Sequence, residues 1–180
     1  MNKLFFLFLA LNLVGCSQRM DIKSTYDPMV NFKGMKTYAI KPGTRIQIED
    51  KRVNNDFLNS RIVFSIDQYL QKHGYQKNND GNPDFWVSFD GALERKKKVE
   101  TSTRFSGDLR DWGGDVEPIL MVTHYNKGVL WVDVVNPQTD QTLYRGTAQA
   151  KIDLDVTWKE KEKRINKAVK GILKEFPPSP

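Results

Sequence analysis

The stretch that most constrains this chain is the alternation from Thr142 to Leu154. Tyr144, Gly146, Ala148, Ala150, Ile152 and Leu154 share one face of an extended strand, and Leu143, Arg145, Thr147, Gln149, Lys151 and Asp153 share the other. Such a strand belongs in a sheet covered on one side and wetted on the other. The small residues at the middle of the first face predict that the cover approaches closely.

Two helical patterns can supply that cover. From Asn55 to His73, Leu58, Ile62, Ile66, Tyr69 and Leu70 recur at three- and four-residue steps. Asn55 or Asp56 can cap the start, and Gly74 stands where a helix C-terminus favours glycine. From Thr157 to Phe176, Trp158, Ile165, Ala168, Val169, Ile172 and Phe176 form an apolar stripe, and Lys159, Lys161, Lys163, Lys167, Lys170 and Lys174 lie on a solvated side. Thr157 and Glu160 make a capping box, and Pro177-Pro178 stops the helix.

Outside the helices the pattern is that of strands. Met35 to Ile40 reads as a first strand closed by Pro42-Gly43, residues 42–55 as irregular, and Asn78 to Pro83 as a loop. Asp84 to Gly91 alternates, with Phe85, Val87 and Phe89 on one face, and Val99 to Phe105 alternates weakly enough to pair with it. Ser106 to Pro118, rich in glycine and aspartate, is expected to be a loop. Ile119 to Tyr125 and Val129 to Val135 are expected as two strands joined by a turn at Asn126-Lys127-Gly128, with a further turn at Asn136 to Asp140. The order strand, helix, antiparallel strands, helix implies an α+β fold: a two-layer sandwich, mainly antiparallel, with two amphipathic helices on one face of the sheet.

The N-terminus is a different kind of segment. Lys3 precedes an apolar run from Leu4 to Val14, which is the layout of an export signal. The run falls short of the roughly 20 residues a membrane-spanning helix needs. It ends in Leu13-Val14-Gly15-Cys16, which resembles the lipobox of bacterial lipoproteins. Small Gly15 gives a peptidase access to the bond, and the Cys16 thiolate is a strong enough nucleophile to take a diacylglycerol. The resemblance implies residues 1–15 as a signal peptide, cleavage between Gly15 and Cys16, a thioether-linked diacylglycerol on Cys16, and a palmitate-type acyl group on its new amine. Residues 16–25 then read as a lipidated N-terminus and polar tether with room for an edge strand, and residues 26–178 as a single domain.

Cys16 is the only cysteine, so no intramolecular disulfide is available. The formal charge is 28 − 22 = +6 and falls to +5 once Lys3 is removed. A mildly basic balance suits anionic headgroups or cell-wall polymers as well as it suits a solvated surface. Beyond the signal segment no stretch is apolar enough to cross a membrane.

A series of blocks carries a family resemblance: Tyr26-Asp27-Pro28, Phe32 and Lys36-Thr37-Tyr38-Ala39; Gly74, then Pro83-Asp84-Phe85-Trp86-Val87; Gly128-Val129-Leu130-Trp131-Val132-Asp133-Val134; Leu143-Tyr144-Arg145-Gly146-Thr147-Ala148; and Ile165-Asn166-Lys167-Ala168-Val169 through Phe176-Pro177-Pro178. Their order from Tyr26 to Pro178 resembles the bacterial lipoprotein family called domain of unknown function 4136. In the 106–118 segment, where that family often carries a glycine- and aromatic-rich run, this chain keeps Trp112-Gly113-Gly114. The resemblance implies an envelope lipoprotein and supplies no catalytic residues. With Ser17 rather than aspartate after Cys16, it also implies anchoring in the outer membrane, facing the periplasm.

Candidate chemistry is sparse. His73 is expected to cap or end a helix, and His124 to pack or hydrogen-bond on a strand; neither has a ligand partner at metal-site spacing. No serine nucleophile motif and no phosphate-cradling loop appears. Asp108, Asp111, Asp115 and Glu117 share one segment, but their spacing is not that of a calcium loop. Asp133, with Trp131 and Val135 on its face, is expected to pair with Arg145 across strands. Arg95-Lys96-Lys97-Lys98 is the densest basic run, expected in a loop at a strand end and a candidate contact for an anionic polymer or headgroup. It lacks interleaved aromatics, and export argues against nucleic acid as a partner. No metal, cofactor or catalytic set is expected apart from the covalent lipid. The reading is of a non-enzymatic membrane-anchored module that binds an envelope protein, lipid or polymer; the alternatives are a polyanion binder and, least favoured, an envelope hydrolase.

Overall fold

The computed structural model describes residues 19–78, 80–106 and 115–178. The chain runs β1 (Met20–Tyr26), a short 3-10 turn (Phe32–Gly34), β2 (Thr37–Ile40), α1 (Asp56–Lys72), β3 (Gln76–Lys77), β4 (Phe85–Ser106), β5 (Asp115–Val135), β6 (Thr142–Ile152) and α2 (Trp158–Leu173). The strands form one sheet in the order β1-β6-β5-β4-β2-β3. The pairs β1–β6, β6–β5 and β5–β4 are antiparallel, while β2 is parallel to both β4 and β3. Both helices lie on one face, so the molecule is a two-layer α+β sandwich.

The helices start as the sequence predicts. The Asn55 side chain accepts from Leu58 N at 2.9 Å, and Thr157 Oγ1 accepts from Glu160 N at 3.3 Å. Gly74 takes a φ of 90°, and Tyr75 N then donates to Leu70 O, closing the end of α1. The two helices hold each other through the ion pair Arg61–Glu162 at 3.1 Å and a hydrogen bond from Ser65 Oγ to Asn166 Oδ1.

Side chains of β4 to β6 that point toward the helices are fully buried: Phe85, Val87, Val132, Val134 and Tyr144, against Ile62, Ile66, Leu70, Val169, Ile172 and Leu173. Gly146 allows α2 its close approach, since a Cβ there would overlap Ile172 Cγ2. Tyr144 Oη donates to Ile172 O at 2.7 Å, and burial pushes the phenol pKa up to about 12. Phe176, just beyond α2, closes this end of the core with ring centroids 5.3–5.8 Å from Tyr144, Phe85, Tyr75 and Phe32. Asp84 pins β2 beside β4: its Oδ2 accepts from Lys36 N and Thr37 N at 2.8 Å and from Thr37 Oγ1 at 2.9 Å.

The edge strand for which residues 17–25 leave room is β1, so the sheet takes in residues assigned above to the tether. The larger corrections concern the middle of the chain. Asn126-Lys127-Gly128 is not a turn. β5 passes straight through it, pairing Asn126, Lys127 and Gly128 with Arg95, Glu94 and Leu93 on one side and with Ile152, Lys151 and Ala150 on the other. Gly128 marks a close approach instead, because a Cβ there would lie 2.9 Å from Ile152 Cδ1. Arg95 to Lys98 is not a loop, and Val99–Phe105 is not a separate strand. Both continue β4. Of the expected 106–118 loop, Asp115 to Pro118 belongs to β5, and 107–114 lies outside the described residues.

Candidate interaction surface

The unbroken register of β4 and β5, from Trp86↔Val135 to Ser106↔Asp115, carries the two strands beyond the rest of the sheet. Their neighbours stop early. β6 accompanies β5 only as far as Asn126, and β2 pairs with β4 only at Phe85 to Val87. Residues 96–106 and 115–125 therefore form a two-stranded ribbon about 35 Å long at the strand rise of about 3.3 Å per residue. Among the described residues neither outer edge of this ribbon is paired with another strand.

Strand alternation sorts its side chains. The face continuous with the helix-covered side carries Arg95, Lys97, Val99 and Thr101 from β4 opposite Asn126, His124, Val122 and Leu120 from β5. The other face carries Lys96, Lys98 and Glu100 opposite Tyr125, Thr123 and Met121. Leu120 is 72% exposed, and Met121, Val122 and Val99 are each more than half exposed. The helices that cover this side of the sheet do not reach it.

The basic run thus falls on two faces and forms no single patch. Lys96 Nζ is 2.7 Å from Glu94 Oε2, and Lys98 Nζ is 2.5 Å from Glu100 Oε1. The Glu94–Lys96 contact lowers the carboxyl pKa and raises that of the ammonium. Lys98 does join other cations: with Arg19, Lys127 and Lys151 it borders an open depression in the crook between ribbon and sheet, where Asp21 and Glu100 are the acidic members. Sequence reasoning missed this grouping of cations because they come from three strands, β4, β5 and β6, and from Arg19 just before β1.

The remaining candidates resolve simply. His73 caps α1, its Nδ1 2.7 Å from Tyr69 O and its ring stacked on Tyr69 at 4.0 Å. His124 is exposed on the ribbon opposite Lys97. Asp133 and Arg145 form the cross-strand pair, bidentate at 2.8 and 2.7 Å, on the sheet face opposite the helices. The carboxylate raises the guanidinium pKa further. Among the described residues no three His, Cys, Asp or Glu side chains come together as a metal site. Asp108, Asp111, Gly15 and Cys16 lie outside the described residues, Asp115 starts β5, and Glu117 is exposed on that strand. No described helix is long and apolar enough to cross a membrane.

The profile of the family described as a domain of unknown function, DUF4136, matches residues 22–178. The chain belongs to the DUF4136 family. Comparison with curated proteins gives no match. Among solved structures, a PDZ domain protein from Parabacteroides distasonis is similar to this DUF4136 domain over 91% of the chain, at 14% identity and a TM-score of 0.54. The chain spans only 37% of that protein, and the similarity is one of fold. PelC, a dodecamer from Paraburkholderia phytofirmans, aligns over 86% of the chain and 95% of its own length at 9% identity and a TM-score of 0.49. A putative neuraminyllactose-binding hemagglutinin homolog from Helicobacter pylori aligns over 85% and 90% at 16% identity and a TM-score of 0.44.

Proposed function

We propose that this DUF4136 protein is a non-enzymatic module of the bacterial envelope, lipid-anchored through Cys16 and engaging a partner protein through the β4–β5 ribbon. The observation that carries the reading is the ribbon: two long strands with unpaired edges and exposed Val99, Leu120, Met121 and Val122. An isolated two-stranded ribbon is marginal in water, and a free strand edge is a template for an added strand. The apolar run Ile119 to Val122 would be a hazard unless covered in use.

The anchor supports the same picture. β1 starts at Met20, only a few residues after Cys16, so a lipid on Cys16 would hold the fold close to the membrane. The lipobox resemblance and Ser17 support attachment to the outer membrane, facing the periplasm. Buried acyl chains, at about 0.8 kcal/mol per methylene, make a two- or three-chain anchor durable.

Photocrosslinking in intact cells tests the ribbon. A crosslinker at Leu120 or Met121 is expected to give a discrete protein adduct that the same group at Lys33 does not. Equal, diffuse labelling at both places would remove the ribbon's claim. Mass spectrometry of the membrane-extracted chain tests the anchor, with an acylated N-terminal Cys16 as the expected species.

The depression bordered by Arg19, Lys98, Lys127 and Lys151 favours a second reading, contact with anionic headgroups or polymers beside the anchor. Replacing the three lysines with glutamine is expected to weaken salt-sensitive binding to phosphatidylglycerol vesicles. Unchanged binding would dismiss it.

A further inference from the structure

Between the sheet and the two helices lies a chamber of about 140 Å³. Its walls include Ile46 from the segment before α1, Ile62 from α1, the small residues Gly91 and Ala148 from the sheet, and Ala168 from α2. Among the described residues Arg164 is the one charged residue on its wall. An apolar cavity of about 150 Å³ stays dry and takes up benzene, so a space of this size is fit for an apolar guest. At about 30 Å³ for a group the size of a water molecule, it holds four or five methylenes.

Arg164 says what the guest carries. Its Nε is 3.3 Å from Glu160 Oε1, but its Nη1 is fully buried and has no hydrogen-bond partner among the described residues. A buried guanidinium N–H without an acceptor is costly, and its usual partner is a carboxylate. Glu160 already balances part of the charge, which suits a monoanion better than a phosphate dianion. Arg164 lines the chamber while its side chain remains about a quarter exposed, so the residue borders both the chamber and solvent.

We propose that the chamber binds a linear aliphatic monocarboxylate of about six to eight carbons, with the last four or five carbons of its tail between the layers and its carboxylate outside them on the Arg164 guanidinium. This site is separate from the ribbon and does not depend on the partner reading. The guest's tail covers apolar wall, and its head offers an acceptor to the guanidinium whose Nη1 has none.

Every element described lies between Met20 and Leu173, so a chain beginning at Ser17 carries the whole fold without a lipid to compete. Octanoate is titrated into that chain while the methyl NMR signals of Ala148, Ala168 and Ile62 are followed, with octanol as the neutral probe. Saturable one-to-one shifts are expected with octanoate. Arg164→Gln should weaken octanoate at least tenfold and leave octanol within twofold; this side chain is partly exposed, so the variant should fold. Ala168→Val, narrowing the chamber, should weaken both probes. Three results would overturn the proposal: no saturable shift of these methyls, octanoate binding indifferent to Arg164→Gln, or equal loss of octanoate and octanol in that variant.

Discussion

The same two strands, β4 and β5, pass through two environments. From Phe85 to Leu93, β4 has β5 on one edge, β2 or the segment before α1 along much of the other, and helices over its apolar face; Phe85 and Val87 are fully buried. Thr44 Oγ1 even takes up the free N–H and C=O of Phe89, at 2.8 and 2.9 Å. From Lys96 outward the pair keeps its register and loses everything else, and residues of equal apolarity, such as Val99 and Leu120, face water. The difference lies in the neighbours rather than in strand propensity. Among the described residues the body is closed by its own chain, while the ribbon's edges and its exposed apolar side chains are left uncovered.

Substitutions can sharpen this contrast. Phe176→Ala opens a gap among Phe32, Tyr75, Phe85 and Tyr144 and should destabilise the fold by about 3–5 kcal/mol in urea unfolding. Gly146→Ala forces β6 and α2 apart, at a cost of about 1–3 kcal/mol, and Gly34→Ala, with nothing near its Cβ, serves as its control. Asp84→Asn weakens three hydrogen bonds to a charged acceptor. Discounted for its exposure, the loss should be about 1–2 kcal/mol. The amides of Lys36 and Thr37 hold the Asp84 carboxyl below its usual pKa, so its stabilisation is full above about pH 4 and is lost as the pH falls through the depressed value. The variant should therefore show a flatter acid limb in stability against pH. At the ribbon, Val99→Ser and Val122→Ser should change stability by less than about 0.5 kcal/mol while abolishing the adduct from a crosslinker at position 120. A loss of stability there as large as at Phe176 would erase the contrast.

The body was legible in the sequence because each of its elements announces itself locally. The 3.6-residue stripe of α1, the capping box at Thr157 and the alternation of Thr142 to Ile152 all read directly onto the structure. β3 was not legible, since Gln76–Lys77 has no pattern of its own and is a strand only because β2 lies beside it. The ribbon was misread for a related reason. Asn126 and Gly128 are turn residues by local statistics, yet Gly128 leaves room for the Ile152 side chain across the sheet, and that contact is invisible along the chain. The basic run looked like a loop because exposure on both faces removes the alternation that marks a half-buried strand. The chamber's Arg164 was likewise hidden among the lysines of α2.

Hydrogen exchange tests the account most directly. It compares the backbone amides of Lys97–Arg104 and Glu117–Tyr125 in the protein purified alone and in native membranes, with β6 amides as the internal reference. A ribbon completed from outside should exchange orders of magnitude faster than β6 in the isolated protein and be protected in the membrane preparation, with β6 unchanged. Equal exchange of the ribbon in both preparations would contradict the account.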